Sequence, residues 1–167
     1  MFSPSLLRRG LPSAAAIILF VAGVIGGAVA AAEGPLTTTL KGFVVSAKDG
    51  KETLAPAETA PPGQVMEYAI TAANSAKSAL KKVQVVGPVP KNTAYVEKSA
   101  QKADLLEVSI DDGKTFAKPP IKRTVTGPDG KSSEIEVDAS EYTHLRWTLP
   151  EIKGGASQEL RYRVRVK

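Results

Sequence analysis

The stretch "QELRYRVRVK" at positions 158–167 alternates apolar and charged side chains without a break. In an extended chain successive side chains point to opposite faces. Leu160, Tyr162, Val164 and Val166 therefore share one face, and Arg161, Arg163, Arg165 and Lys167 share the other. A helix would scatter both sets around its axis. The pattern predicts a strand with one buried and one wet face, and such a strand needs sheet neighbours and a layer beneath it. "THLRWTLP" repeats the pattern with Leu145, Trp147 and Leu149 on one face, and the two strands are joined by "PEIKGGAS".

The rest of the chain from Leu36 onward follows the same rule. "GFVVSAKDGKETLAP" places Asp49-Gly50 between two extended stretches, and Asp-Gly supplies the positive φ angles of a tight hairpin. "QVMEYAITAAN" puts Met66, Tyr68, Ile70 and Ala72 on one face as core. "VQVVGPVP" and "TAYVEKSA" predict two more strands, the first ended by Pro88 and Pro90. Shorter candidates are Leu106 to Ile110, Ile121 to Thr126 and Ser133 to Val137, separated by the turns "DDGK" and "GPDGK". "NSAKSALKK" and "EKSAQKADLLE" are rich in helix formers and have room for a helical turn. The expected fold is all-β: one two-sheet sandwich over residues 33–167.

Before it, Arg8 and Arg9 precede an uncharged run, Ala14 to Ala32, that ends in Gly26, Gly27 and small residues. This is the layout of a signal peptide over residues 1–32, with cleavage near Ala30 or Ala32. An uncleaved membrane anchor is the alternative, since the run approaches the roughly 20 apolar residues that span a bilayer. The expected location is exported, in the periplasm, outside the cell or on its surface. The chain has no cysteine, so neither a disulfide nor a lipidated cysteine can form despite that route. Its net charge of +5 falls when Arg8 and Arg9 leave, and a mildly basic exported chain does not point to nucleic acid.

Four features bear on chemistry. In "SIDDGKTF", Ser109, Asp111, Gly113, Thr115 and Phe116 resemble the Asp-box, a hairpin turn in which the acid braces backbone amides and the glycine supplies a permissive φ. A calcium loop would want oxygen ligands at more alternating positions. His144 is the only histidine, faces away from Trp147 and is expected at the surface, and no nucleophile elbow accompanies it. No pattern selects two of the acids as a glycosidase pair, and no cofactor or metal is expected. Trp147 reads as a core aromatic. The cations Arg161, Arg163, Arg165 and Lys167 form the strongest surface signal: either a face for an anionic partner, with Arg suited to forked contacts, or a solvated face shielded by neighbouring acids.

Residues Pro61 to Lys167 resemble a conserved-repeat domain of unknown function that recurs in exported bacterial surface proteins. The resemblance rests on Pro62-Gly63 leading to Asn74, Val83 to Pro90, Tyr95-Val96 to Ser99, and "LRWTLPEIKGGASQELRYRVRV". It departs in Asn74-Ser75-Ala76, where the family has Asn-Thr-Gly or similar, and in holding one copy instead of an array. It implies an immunoglobulin-like sandwich in the cell envelope and no catalytic residues. The expected role is a non-catalytic interaction or structural module, with an envelope protein or anionic polymer as partner. An anchored assembly component is the alternative, meeting the membrane only through its N-terminal segment, and an envelope enzyme is the least favoured.

Overall fold

The structure, a computed structural model, describes residues 34–167. The signal-peptide reading of residues 1–32, with its cleavage sites at Ala30 and Ala32, lies outside the described residues. The described chain is all-β, with every pairing antiparallel. Its strands are β1 Leu36–Lys48, β2 Lys51–Pro56, β3 Val65–Asn74, β4 Leu80–Pro88, β5 Thr93–Tyr95, β6 Leu106–Ser109, β7 Lys122–Thr126, β8 Ser132–Glu136, β9 His144–Ile152 and β10 Ser157–Val166. They form a five-stranded sheet β2-β1-β3-β10-β5, a three-stranded sheet β4-β9-β6 and a separate hairpin β7-β8.

Asp49 and Gly50 both take positive φ, 52° and 74°, and join β1 to β2 in the tight hairpin expected of that pair. Of the helix-prone loops, "NSAKSALKK" contains no helix, and "EKSAQKADLLE" holds a single 3-10 turn, Ala103–Leu105. Tertiary packing of the flanking strands leaves neither loop the length an isolated helix needs.

The two larger sheets share one core. β3 and β10 contribute Met66, Ile70, Leu160, Tyr162 and Val164, and the smaller sheet contributes Val83, Val85, Leu145, Trp147 and Leu149. Trp147 and Tyr162 are fully buried, with ring centroids 5.9 Å apart across the sheets. Each carries a polar tip that burial would penalise, and each tip is satisfied. The Tyr162 hydroxyl donates to the Pro88 carbonyl at 2.5 Å, and Trp147 Nε1 donates to the Gln101 carbonyl at 2.8 Å. At Gly87 the backbone passes so close that a Cβ would lie 2.9 Å from the Tyr162 ring, which leaves room only for glycine.

β9 and β10 have the predicted faces, but they do not pair with each other. They lie in opposite sheets, and the loop between them crosses the end of the core. The crossing is fixed by Asn74, a buried amide at the end of β3. Its Nδ2 donates to the carbonyls of Ser78, Ile152 and Lys153 at 2.8, 3.0 and 3.2 Å, and its Oδ1 accepts from the Ala76 N–H at 3.0 Å. This one side chain ties the β3–β4 loop to the β9–β10 loop.

The hairpin β7–β8 sits apart, with every residue of β8 exposed and Ile135 open to solvent. It is held at its base by the Val137 N–H donating to the Ile121 carbonyl at 2.8 Å and by a forked Arg123–Glu141 pair at 2.7 and 2.9 Å.

Replacing Asn74 with Ala leaves buried carbonyls without donors, and each such group costs about 1–3 kcal/mol. We expect Asn74→Ala to lose about 3 kcal/mol of stability. Urea unfolding checks this: a lowered midpoint at unchanged slope is expected, and an unchanged midpoint would separate the crossing from Asn74.

Candidate functional site

The cationic face of β10 is present, but two of its four charges are matched within the chain. β10 pairs with β3 so that Arg163 stands directly opposite Glu67. Glu67 is buried, and its two oxygens accept from Arg161 Nη1 at 2.8 Å and Arg163 Nε at 2.9 Å. Arg161 also meets Glu159 at 2.7 Å, and Arg163 forks onto Glu52 at 3.0 and 2.8 Å. The bonds to Glu52 and Glu67 raise the Arg163 pKa, those to Glu67 and Glu159 raise that of Arg161, and the Arg163 guanidinium lowers that of Glu52. Arg165 donates to the Gly63 carbonyl at 2.9 Å, and Lys167 reaches the far end of the molecule beside Asn92. Arg165 and Lys167 make no ion pair among the described residues. Alternation placed Glu67 on the outer face, but nothing local in "MEYAI" signals that two guanidiniums from the other end of the chain cover it.

The segment Ser109 to Phe116 is a turn closed by its own side chains. Asp111 Oδ1 accepts from the Ser109 hydroxyl at 2.7 Å and the Thr115 N–H at 2.9 Å, and Oδ2 accepts from the Thr115 hydroxyl at 2.6 Å. The Ser109 oxygen in turn accepts the Gly113 N–H at 2.9 Å. Asp112 and Gly113 take positive φ, 58° and 80°. The donors around Asp111, Thr115 first, hold its carboxyl well below the usual range. Phe116 is half-buried, with the Arg146 guanidinium 4.1 Å above its ring, and Arg146 is paired to Glu107 at 2.8 Å. The carboxylate is thus committed to the turn. Among the described residues no group of three or more His, Cys, Asp or Glu could hold a metal ion.

His144 departs from its expected exposure. It is half-buried because the turn folds back onto it: a Cβ at Gly113 would lie 3.6 Å from the ring, and Nδ1 is 3.3 Å from the Thr143 hydroxyl. Desolvation lowers its pKa, against the opposing charges of Asp112 and Asp111.

Sequence alternation could not reveal the groove these parts enclose. It is an open depression of about 880 Å³ across the outer face and end of the smaller sheet. Val86, Pro88, Val89 and Phe116 supply apolar walls, and Lys91, Lys114 and Lys167 stand around it. Those three lysines are exposed and make no ion pair among the described residues. Thr38, segments within 84–93, 112–116 and 140–146, and Lys167 meet here only through the sheet topology, so no motif marks it.

Two outcomes test these assignments. Removing the shared acid, Glu67→Ala, leaves Arg161 and Arg163 without their buried partner. Because both side chains are about a third exposed, at 30% and 29%, the expected loss is about 2 kcal/mol, below the range for a fully buried pair. Differential unfolding in urea reads it, and a loss under about 0.5 kcal/mol, the scale of ordinary surface changes, would make the pairing incidental. Asp111 has a lowered folded pKa, so its contribution is complete above the ordinary aspartate value of about 3.9 and is lost as pH falls toward the folded value. Asp111→Asn should therefore lower stability at neutral pH and flatten the acid limb below about pH 4. An acid limb parallel to that of the unaltered protein would overturn this role.

No family model, no curated protein and no solved structure matches the chain, so its own residues and geometry alone bear on its role.

Proposed function

We propose that the protein is an exported, non-catalytic interaction or structural module of a bacterial cell envelope, built on an immunoglobulin-like sandwich. The observation that carries this reading is the groove: an apolar-walled depression on a double-sheet frame, rimmed by lysines that make no ion pair among the described residues. Loops held by such a frame are where binding surfaces commonly sit. The signal-like run Ala14 to Ala32 supports export. Ser109, Asp111 and Thr115 direct their polar atoms at one another and at the backbone, which supports a structural turn and leaves no poised nucleophile there.

"Immunoglobulin-like" is meant for the architecture. Counting β1, β3, β4, β5, β6, β9 and β10 as seven strands, the larger sheet holds the first, second, fourth and seventh. In constant immunoglobulin domains the fifth takes the place of the seventh. The anionic partner expected of the β10 face is better served by the groove, since Arg161 and Arg163 already hold carboxylates while Lys91, Lys114 and Lys167 make no ion pair among the described residues.

The test is fractionation of the native cells with intact-mass measurement of the recovered protein. We expect a species beginning near Ala31 or Glu33 in the periplasmic or extracellular fraction. A full-length chain held in the membrane would replace this reading with the anchored assembly component, and a full-length soluble chain in the cytoplasm would overturn both.

A further inference from the structure

The two facing sheets are unequal, five strands against three, and the mismatch falls beside β4. β4 pairs only with β9, so its other edge has no strand partner among the described residues. Which backbone groups face that edge follows from the ladder. Val108 exchanges both of its backbone bonds with Ala117, at 2.8 and 3.0 Å, and so points away from β9. Antiparallel ladders alternate. Leu145, opposite Val108, therefore turns its backbone to Gly87 of β4, and Trp147 likewise to Val85. The Val89 N–H, donating to the Thr143 carbonyl at 2.8 Å, agrees with that phase. The N–H and C=O groups of Gln84 and Val86 are left aimed outward.

Across from this edge, the inward face of β1 is incompletely covered. Leu36, Thr38 and Leu40 pair with the buried Asn74, Ala72 and Ile70 of β3, yet they are only half-buried themselves. A small niche lined by Thr38, Leu40, Val86 and Pro88 continues from the groove along this side. One more strand on β4 would bond Gln84 and Val86 and cover that face of β1.

We infer that the β4 edge accepts an extended, acidic peptide segment of a partner protein as a fourth strand of the smaller sheet. This rests on the reading of the protein as an interaction module. Charge selects the occupant: Lys81 and Lys82 flank the start of the edge and Lys91 and Lys114 its end, none in an ion pair among the described residues, against two carboxylates in the same state, Glu151 opposite Lys81 and Asp112. A second β4 would bring its own Lys81 and Lys82 to this rim, which repels a homotypic pairing. A glycan is disfavoured because the aromatic rings of the groove are already engaged: Arg146 lies over Phe116, Tyr142 is buried against Tyr95, and His144 lies against Gly113. Lysines at an edge also guard it against random pairing, and here they leave Val83 to Pro88 uncharged. The recognition mode is strand addition, with main-chain bonds giving affinity and side chains giving selectivity.

The probes are an acetylated peptide of alternating Glu and Val, about ten residues long, its Lys-for-Glu counterpart, and alginate as an anionic polysaccharide, each added to the purified protein. Fluorescence anisotropy should detect the acidic peptide but not the basic one, with affinity falling as salt rises. Hydrogen exchange should slow at Gln84 and Val86. Val86→Pro removes an outward N–H, a position where an edge strand tolerates proline, and should weaken binding about tenfold or more. The double variant Lys91→Glu with Lys114→Glu should do the same by charge, and it decides the matter if Val86→Pro loses its circular dichroism. Undiminished binding by both variants, or no binding of the acidic peptide, overturns the inference. If alginate binds while the peptide does not, this inference fails and the interaction-module reading stands. A cytoplasmic protein that binds none of the three fails both.

Discussion

The contact between Trp147 and Tyr162 joins the two sheets at the centre of the molecule, and the rest of the domain is arranged around it. With no cysteine available, nothing covalent links the layers. The sheets are held by close-packed apolar faces, and the two largest side chains in the gap each bring a polar atom that must find a partner there. Tyr162 finds it at the Pro88 carbonyl, which also fixes where β4 stops, and Trp147 at the Gln101 carbonyl, which pins the loop ahead of β6. Gly87 is the complement of this packing, a position where the backbone itself fills the space beside the ring.

Local rules carried much of the fold. Alternation found the inward faces of β9 and β10, because a strand with one wet side leaves a period of two in its side chains. Asp49-Gly50 marked a hairpin because few residues accept positive φ twice in succession. Such rules stop at the question of which strand lies beside which. Two adjacent amphipathic strands look the same whether they form a hairpin or cross between sheets, and the difference here is made by Asn74, about eighty residues from the loop it fastens. Glu67 and the groove were hidden for the same reason. Both are created by side chains distant in sequence, Arg161 and Arg163 in one case and five separate segments in the other.

The wet face of β10 shows how a charge pattern differs from a charge surface. Four cations in alternation look like a binding ladder, yet a sheet places the acids of neighbouring strands within reach. Glu67 serves two guanidiniums at once, an arrangement that desolvates the carboxylate while giving it two charge-assisted donors. The lysines around the groove make no ion pair among the described residues, although Asp112 and Glu141 line the same groove. Two of the three β10 arginines are thus matched by acids, while the lysines at the end of the smaller sheet make no ion pair among the described residues.

The hairpin β7–β8 enters the chain between β6 and β9 and returns to nearly the point from which it left. Its backbone ladder joins only its own two strands, and it touches the body of the protein at its base, through the Val137–Ile121 bond and the Arg123–Glu141 pair. A unit attached in this way contributes little to the cooperative unfolding of the core and can open on its own at low free energy. Mutations and changes of length along residues 124–136, beyond the Arg123–Glu141 pair, thus bear little on the packing of the core. The domain carries a segment whose composition is free to follow a partner, a surface or nothing at all, while the fold beneath it stays the same.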